Sequence, residues 1–247
     1  MDQAIFTRLH QPTCTTTCST CNLRELCLPV GLSKLELEYV DKHLVTTRRK
    51  LARGATLYQA GAPLESLFAV WTGFFKTSLA SADGRDQVTG FQMGGELLGR
   101  DGIATRRHEV DAVALEDSQI CVMPYQSLES LAQEVPSLQQ QLHRVMSGVE
   151  IVSHQRVMLL LGSMYAEERL AAFLLNLAKR MHARGFSASQ LLRRMTREEI
   201  GSFLGLTLET VSRSFSKFQA EGLLHVRNRQ IRITDPLGLQ HIVDGTT

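Results

Sequence analysis

Between residues 50 and 124 the chain breaks into six short runs of strand-forming residues, and few folds accept such a stretch. The runs are Thr56–Gln59, Ser66–Thr72, Phe74–Ala80, Gln87–Met93, Asp111–Leu115 and Gln119–Met123, with glycines punctuating the intervals. Short strands at close spacing with turn residues between them close into a sandwich or a small roll. A short helical pattern follows over Tyr125–Glu134, and Pro136 marks the start of a long helix expected to run to about Leu161. Along it Leu138, Leu142, Val145, Val149, Val152, Arg156 and Leu159 alternate spacings of four and three. That is the a/d seam of two helices packed along a dimer axis, the alternative being one helix that lies on its own domain. Arg156 would set like charges face to face across such a seam and keep dimerisation marginal. Gly148 weakens an isolated helix by ~1 kcal/mol, so packing must hold this one.

The charge is unevenly divided. Residues 1–165 hold 15 Lys and Arg against 17 Asp and Glu, a balance of −2, whereas residues 166–247 hold 12 against 8, a balance of +4. A polyanionic partner is therefore sought in the last third. With 43% hydrophobic and 21% charged residues, the composition excludes a chain disordered throughout and a collagen. No apolar run approaches the ~20 residues of a membrane span. The first residues, Met1 to Arg8, lack a basic-then-apolar signal, so a cytoplasmic protein is expected. In that compartment the five cysteines are not expected to pair as disulfides.

The last third carries the strongest local pattern. Ala166–Arg184 is amphipathic, with Leu170, Phe173, Leu174 and Leu177 on one face. In the stretch Thr196–Arg213, Ile200, Phe203 and Leu204 form the inner stripe of a first helix, Gly205 permits a tight turn, and Leu206 plugs the corner. Thr207 then caps a second helix whose inner face is Val211, Phe215 and Phe218. Glu209, Ser212 and Arg213 share its outer face near the N-terminal end, where a recognition helix meets base edges in the major groove of double-stranded DNA. Arginine suits guanine O6 and N7, and glutamate accepts from cytosine N4. The rival is an αα-hairpin with a Glu209–Arg213 surface pair worth ~0.3 kcal/mol. After Gly222 two strands, Leu223–Val226 and Gln230–Thr234, flank a tight loop at Asn228 and complete a winged helix-turn-helix. Arg193, Arg194, Arg197, Thr207, Lys217, Arg227 and Arg229 are then expected to position the phosphates.

Cys14, Cys18, Cys21 and Cys27 crowd into the first 30 residues, and Cys121 lies in the last strand run. Thiolates at such spacing suit iron–sulfur or zinc binding, with thiol redox chemistry or a structural role also open. The C-x3-C-x2-C spacing also matches radical-SAM enzymes, but the repeated βα units of their barrel are missing. Cys121 alone would read as a buried, apolar-like cysteine.

Thr196–Arg213 resembles the helix-turn-helix of the Crp/FNR family of regulators, and Ala166–Phe173 is similar to the start of that family's DNA-binding domain. The resemblance runs from Cys14 to about Thr234. It implies an α+β architecture: a cysteine-rich segment (1–30), a β-roll sensor domain (31–134), a dimerisation helix (135–163) and a winged helix-turn-helix (164–247). In the FNR subgroup Glu-x-x-Ser-Arg reads the half-site, which here is Glu209, Ser212 and Arg213, and implies a palindrome like TTGAT-N4-ATCAA. That subgroup carries Cys-x2-Cys-x5-Cys and one cysteine inside the roll, together holding an oxygen-labile 4Fe–4S cluster. The matching positions are Cys18, Cys21, Cys27 and Cys121, with Cys14 an extra upstream cysteine that is not a ligand. Asn22, Leu26, Leu28 and Pro29 flank them and are expected to tune oxygen access.

The resemblance further implies a homodimer that contacts RNA polymerase, for which the Ala82–Asp86 turn is a candidate patch, and that responds to oxygen; iron–sulfur clusters also commonly react with nitric oxide, which leaves that gas open as a second input. Two alternatives stand beside it. A cyclic-nucleotide-responsive regulator of the same fold would use an Arg-Ser or Arg-Thr after Gly95-Glu96-Leu97 to capture phosphate, where this chain has Val110-Asp111-Ala112. A zinc-structured DNA-binding protein would not sense oxygen at all. No nucleophile–base set or phosphate-cradling loop points to an enzyme.

Overall fold

Two four-stranded antiparallel sheets pack face to face, and both of their outer faces are covered by other parts of the chain. The structure, a computed structural model, describes residues 17–44, 47–80, 86–147, 164–187, 189–192, 194–228 and 230–245. The strands are β1 (Thr47–Leu51), β2 (Thr56–Tyr58), β3 (Ser66–Thr72), β4 (Phe74–Ala80), β5 (Asp86–Met93), β6 (Leu97–Leu98), β7 (Asp111–Ala114) and β8 (Ser118–Pro124). One sheet runs β1-β8-β3-β6 and the other β2-β7-β4-β5.

Side-chain alternation divides each strand between two cores. Val70 of β3, Phe75 of β4 and Ile120 of β8 point inward with Leu51, Leu57 and Ala112. On the outer face of the first sheet, Leu67, Ala69, Met123 and Cys121 meet helices α1 (Lys34–His43), α2 (Tyr125–Glu134) and α3 (136–147). On the outer face of the second sheet, Phe74, Val88, Phe91 and Met93 share a core with the C-terminal third.

That third begins with α4 (Ala166–His182), followed by β9 (Gln190–Leu192), α5 (Arg197–Leu204), α6 (Leu208–Ala220), β10 (Leu224–Arg227), β11 (Gln230–Ile233) and α7 (Pro236–Val243). Leu170, Leu174, Ile200, Val211, Phe215 and Phe218 are its fully buried centre. The small sheet runs β10-β11-β9, and the hairpin turns at Asn228, whose φ of 56° suits a tight loop.

The expected strands match the observed ones to within a residue or so at their ends, and three strands and two helices are added. β1 carries Arg48, Arg49 and Lys50 and stands at a sheet edge, where charge is tolerated and protects against further pairing. β6 has two residues, and β9 adds a third strand to the wing. Helix α1 starts with a capping box in which Ser33 and Glu36 satisfy each other's backbone N–H groups, and α7 starts at Asp235-Pro236.

The long helix differs from the expected seam in one respect. Leu138 and Leu142 are 1% and 7% exposed within the single chain, packed on α2 and the roll, with Val145 partly buried beside them. Within the single chain Leu138 and Leu142 seat the helix on its own domain. An apolar spacing fixes which face is buried but not what covers it. Val149, Val152, Arg156 and Leu159 lie outside the described residues, as do Gly148, Cys14, Arg193, Arg229 and most of the Ala82–Asp86 turn.

Candidate cysteine site and nucleic-acid interface

Cys18, Cys21 and Cys27 sit on the turns around a short 3-10 helix (Arg24–Leu26), and Cys121 faces them from β8. All four line one cavity, closed below by Leu28, Val40, Ala69, Met123 and Leu138. The loop is fixed from three sides. Asp41 of α1 accepts the backbone N–H groups of Cys18 and Ser19. Leu28 is buried in the core behind it. Leu26 rests on Gly95, whose φ is 84° and where a Cβ would come 2.8 Å from the Leu26 Cβ. Only glycine fits there.

The thiols feel one another. Burial pushes Cys18 up to about 12, with Cys27, Asp41, Cys121 and Cys21 adding to the rise. Burial likewise pushes Cys27 up to about 12, against the Leu28 backbone N–H and with Cys121 and Cys21 raising it further. Metal ligation needs thiolates, so a cavity of this kind suits a cationic centre that offsets their charge. Among the described residues no three His, Cys, Asp or Glu side chains converge on a single shared ion. The four cysteines line one cavity rather than meet at a point, and four thiolates are the donor set that a 4Fe–4S cluster would take.

The helix-turn-helix is built by local chemistry. Thr196 and Glu199 form a capping box, with Glu199 N–H 3.0 Å from the Thr196 hydroxyl and Thr196 N–H 2.8 Å from the Glu199 carboxylate. Gly205 ends α5 in the left-handed region at φ 67°. Leu206 N–H then returns to the Gly201 carbonyl, so close that a Cβ on Gly201 would lie 2.6 Å from the Leu206 oxygen. Thr207 caps α6 by accepting from Thr210 N–H at 3.2 Å. Val211, Ser214, Phe215 and Phe218 face the core, while Glu209, Arg213 and Lys217 are exposed and Ser212 is half-buried. No ion pair among the described residues ties Glu209 to Arg213. Arg197 lies 5.4 Å over the Phe215 ring, and Lys217 is 3.6 Å from Glu167. Arg227 is exposed at the end of β10. Arg194 departs from expectation: it pairs with Glu116 of the roll at 2.6 Å, so its charge serves the domain contact.

That contact was not legible in the sequence. Glu96 accepts from Arg180 at 2.6 Å and from Arg184 at 2.7 Å, both on or just beyond α4. Arg180 also donates to the Phe91 carbonyl and Arg184 to that of Gly94. Lys76 reaches Glu199 at 2.9 Å, and the Ser202 hydroxyl accepts from Val88 N–H while donating to the Asp86 carbonyl. Phe203, expected in the inner stripe of α5, is half-buried and packs with Phe91 of the roll and Phe173 of α4. The pairs that join the roll to the C-terminal third span about 80 to 125 residues of chain, with no local signal to announce them.

A winged helix-turn-helix mounted on a β-roll defines a DNA-binding transcription regulator. Residues 168–242 match the Crp-like helix-turn-helix domain, and residues 48–135 match the cyclic nucleotide-binding domain. The chain is 45% identical over 226 residues to the transcriptional regulatory protein btr of Bordetella pertussis, covering 92% of this chain and 93% of that one. It is 40% identical to the anaerobic regulatory protein of Pasteurella multocida over 100% of this chain and 89% of that one. The solved structure of FixK2 from Bradyrhizobium japonicum superposes with a TM-score of 0.74 at 30% identity, covering 81% of this chain and 98% of that one. The chain belongs to the Crp/FNR family, whose members are transcription regulators and not enzymes. No helix among the described residues is long and apolar enough to cross a membrane.

Proposed function

We propose that this protein is a cytoplasmic, oxygen-responsive regulator of anaerobic gene expression whose Cys18, Cys21, Cys27 and Cys121 hold a 4Fe–4S cluster. The observation that carries the reading is the convergence of these four cysteines, one of them about a hundred residues from the rest, on one cavity. The name of the Pasteurella multocida relative supports the anaerobic setting. When bound, the cluster supplies lability to oxygen, and nitric oxide is a second candidate input. The chain's part is to tie residues 18–27 to β8 at Cys121 and to the face of α3, so that loss of the tie is felt where the dimerisation helix begins. A coupling of about 1–3 kcal/mol makes a usable switch.

In the active state a homodimer reads a palindrome of the TTGAT-N4-ATCAA type, with the two α6 helices about one helical turn apart. Glu209, Ser212 and Arg213 read bases. Arg197, Thr207, Lys217, Arg227 and Arg229 position the backbone. The ion pair of Lys217 with Glu167 is half-exposed and worth about 0–1 kcal/mol, so releasing Lys217 to a phosphate costs little. Residues 1–30, 31–134, 135–163 and 164–247 divide the labour into cluster binding, sensing, dimerisation and DNA binding, with RNA polymerase as the further partner. A cyclic-nucleotide reading meets Asp111 where a phosphate would need a cation, and that carboxylate, which accepts from Ala60 N–H at 2.7 Å, would repel it.

Anaerobic purification tests the switch. The expected protein is brown, carries ~4 Fe per chain, and bleaches in air as DNA binding falls. A colourless, zinc-bearing protein that binds DNA equally in air would leave the regulator standing and remove the oxygen response. The DNA face has its own test by fluorescence anisotropy. Arg213→Ala is expected to lose about 1–3 kcal/mol of binding and to relax specificity at one base pair, while Lys217→Ala weakens all sequences alike and lowers the salt slope by about 1.

A further inference from the structure

Arg48 is the cationic side chain that the antiparallel register sets directly opposite Cys121. On β1 it is the partner of Cys121 on β8, and on the far side of β8 Cys121 is paired with Ala69 of β3. The three residues form one row across the sheet, and Cys121 and Ala69 of that row line the cysteine cavity. The Arg48 guanidinium lies 3.5 Å over the ring of Trp71, two residues along β3 from Ala69. Strands are about 4.8 Å apart, so a side chain from β1 that reaches a ring on β3 must cross β8. It crosses on the face that carries the Cys121 sulfur. The Arg48 Nε is buried and has no hydrogen-bond partner among the described residues, a cost that a structural edge-strand arginine would avoid by pointing to water.

Arginine cannot be deprotonated, and its planar group both stacks on an indole and donates in a fixed fork. We propose that Arg48, held over Trp71, is a counter-charge of the cysteine site: a positioning residue that crosses β8 on the Cys121 face and offsets the negative charge of the thiolate set. Trp71 is the platform that keeps the guanidinium over β8. The inference rests on the reading that these cysteines bind a metal centre. Partners in this position around a metal are worth about 10–100-fold in affinity.

The test uses the full-length protein purified without oxygen and titrated with an iron chelator. Arg48→Met, which keeps the length and loses the charge, is expected to hold its iron about 10–100-fold less tightly. It is also expected to shift the iron–cysteine stretching bands in the resonance Raman spectrum, which a merely structural role would not move. Arg48→Lys keeps the charge but not the fork and recovers part of both. Trp71→Leu moves both readouts in the direction of Arg48→Met by a smaller amount. Arg49→Met, on the exposed neighbour along β1, matches the wild type. Wild-type iron retention and bands in Arg48→Met overturn the inference. Should that variant not fold, wild-type values in both Arg48→Lys and Trp71→Leu overturn it instead. A wild-type protein without any bound metal overturns this inference together with the proposed cluster. A metal-loaded wild type that is insensitive to Arg48 overturns this inference alone.

Discussion

Substituting Cys27→Ser is expected to leave a folded chain that carries no cluster and binds DNA without oxygen no better than the wild-type protein does in air. Serine is close to cysteine in size, so the packing of position 27 among the α1, α2 and β8 side chains changes little. The loop has other anchors: Asp41 still accepts from Cys18 and Ser19 N–H, and Leu26 still rests on Gly95. What is lost is a thiolate, the ligand iron–sulfur centres require. Three remaining cysteines leave one iron without a protein ligand. The fall in anaerobic DNA affinity is expected to be about 5–150-fold, the range of an allosteric coupling. Cys14→Ser, by contrast, is expected to match the wild type. Iron and sulfide assays beside an anisotropy titration in a glove box check both variants. Four irons retained in Cys27→Ser would sink the ligand assignment.

How much of this was legible in the sequence depended on range. The helix-turn-helix is written locally: the Thr196–Glu199 box, Gly205 at the corner and the Thr207 cap each act within a few residues, and all are formed. Asn228 announced its turn in the same way. Helices α1 and α7 carried equally local signals in Ser33 with Glu36 and in Asp235-Pro236, but each is short and easily passed over. β1 hid behind three consecutive cations, because an edge strand needs only one buried face. The spacing of Leu138, Leu142 and Val145 reported a helix face and left its cover open, and the roll turned out to supply it. For the cysteines the sequence offered the thiols and their spacing. Asp41, Arg48 and Trp71 came to the site through sheet register and helix packing, which join residues that no window of sequence holds together. Glu96 is the extreme case, since it sat in a Gly-Gly-Glu turn that by itself said only that the chain reverses.

Glu96→Ala is expected to destabilise the chain by about 2–3 kcal/mol, because two guanidinium groups lose their carboxylate together. Breaking a fully buried pair costs about 3–5 kcal/mol. Here Glu96 and Arg180 keep about a quarter of their side-chain surface, so solvent screens part of the loss, whereas Arg184 is 7% exposed and has little water to turn to. Arg184→Ala made in the Glu96→Ala background should cost less than in the wild type, as required of residues that share one network. Urea unfolding of the two single variants and the double variant measures that difference, and full additivity would show that the clamp is not a unit. The position of this turn gives the variant a second consequence. On one side Gly95 bears Leu26, the residue before Cys27, and on the other Glu96 and Gly94 hold α4 and its C-terminal end, the scaffold of the DNA-binding core. Two adjacent residues therefore separate the cysteine loop from the arginines of α4. Loosening it should narrow the gap between DNA affinities measured without and with oxygen even where the cluster is retained. Unchanged affinities in a destabilised Glu96→Ala protein would confine the clamp to holding the domains together and leave the signal to the long helix.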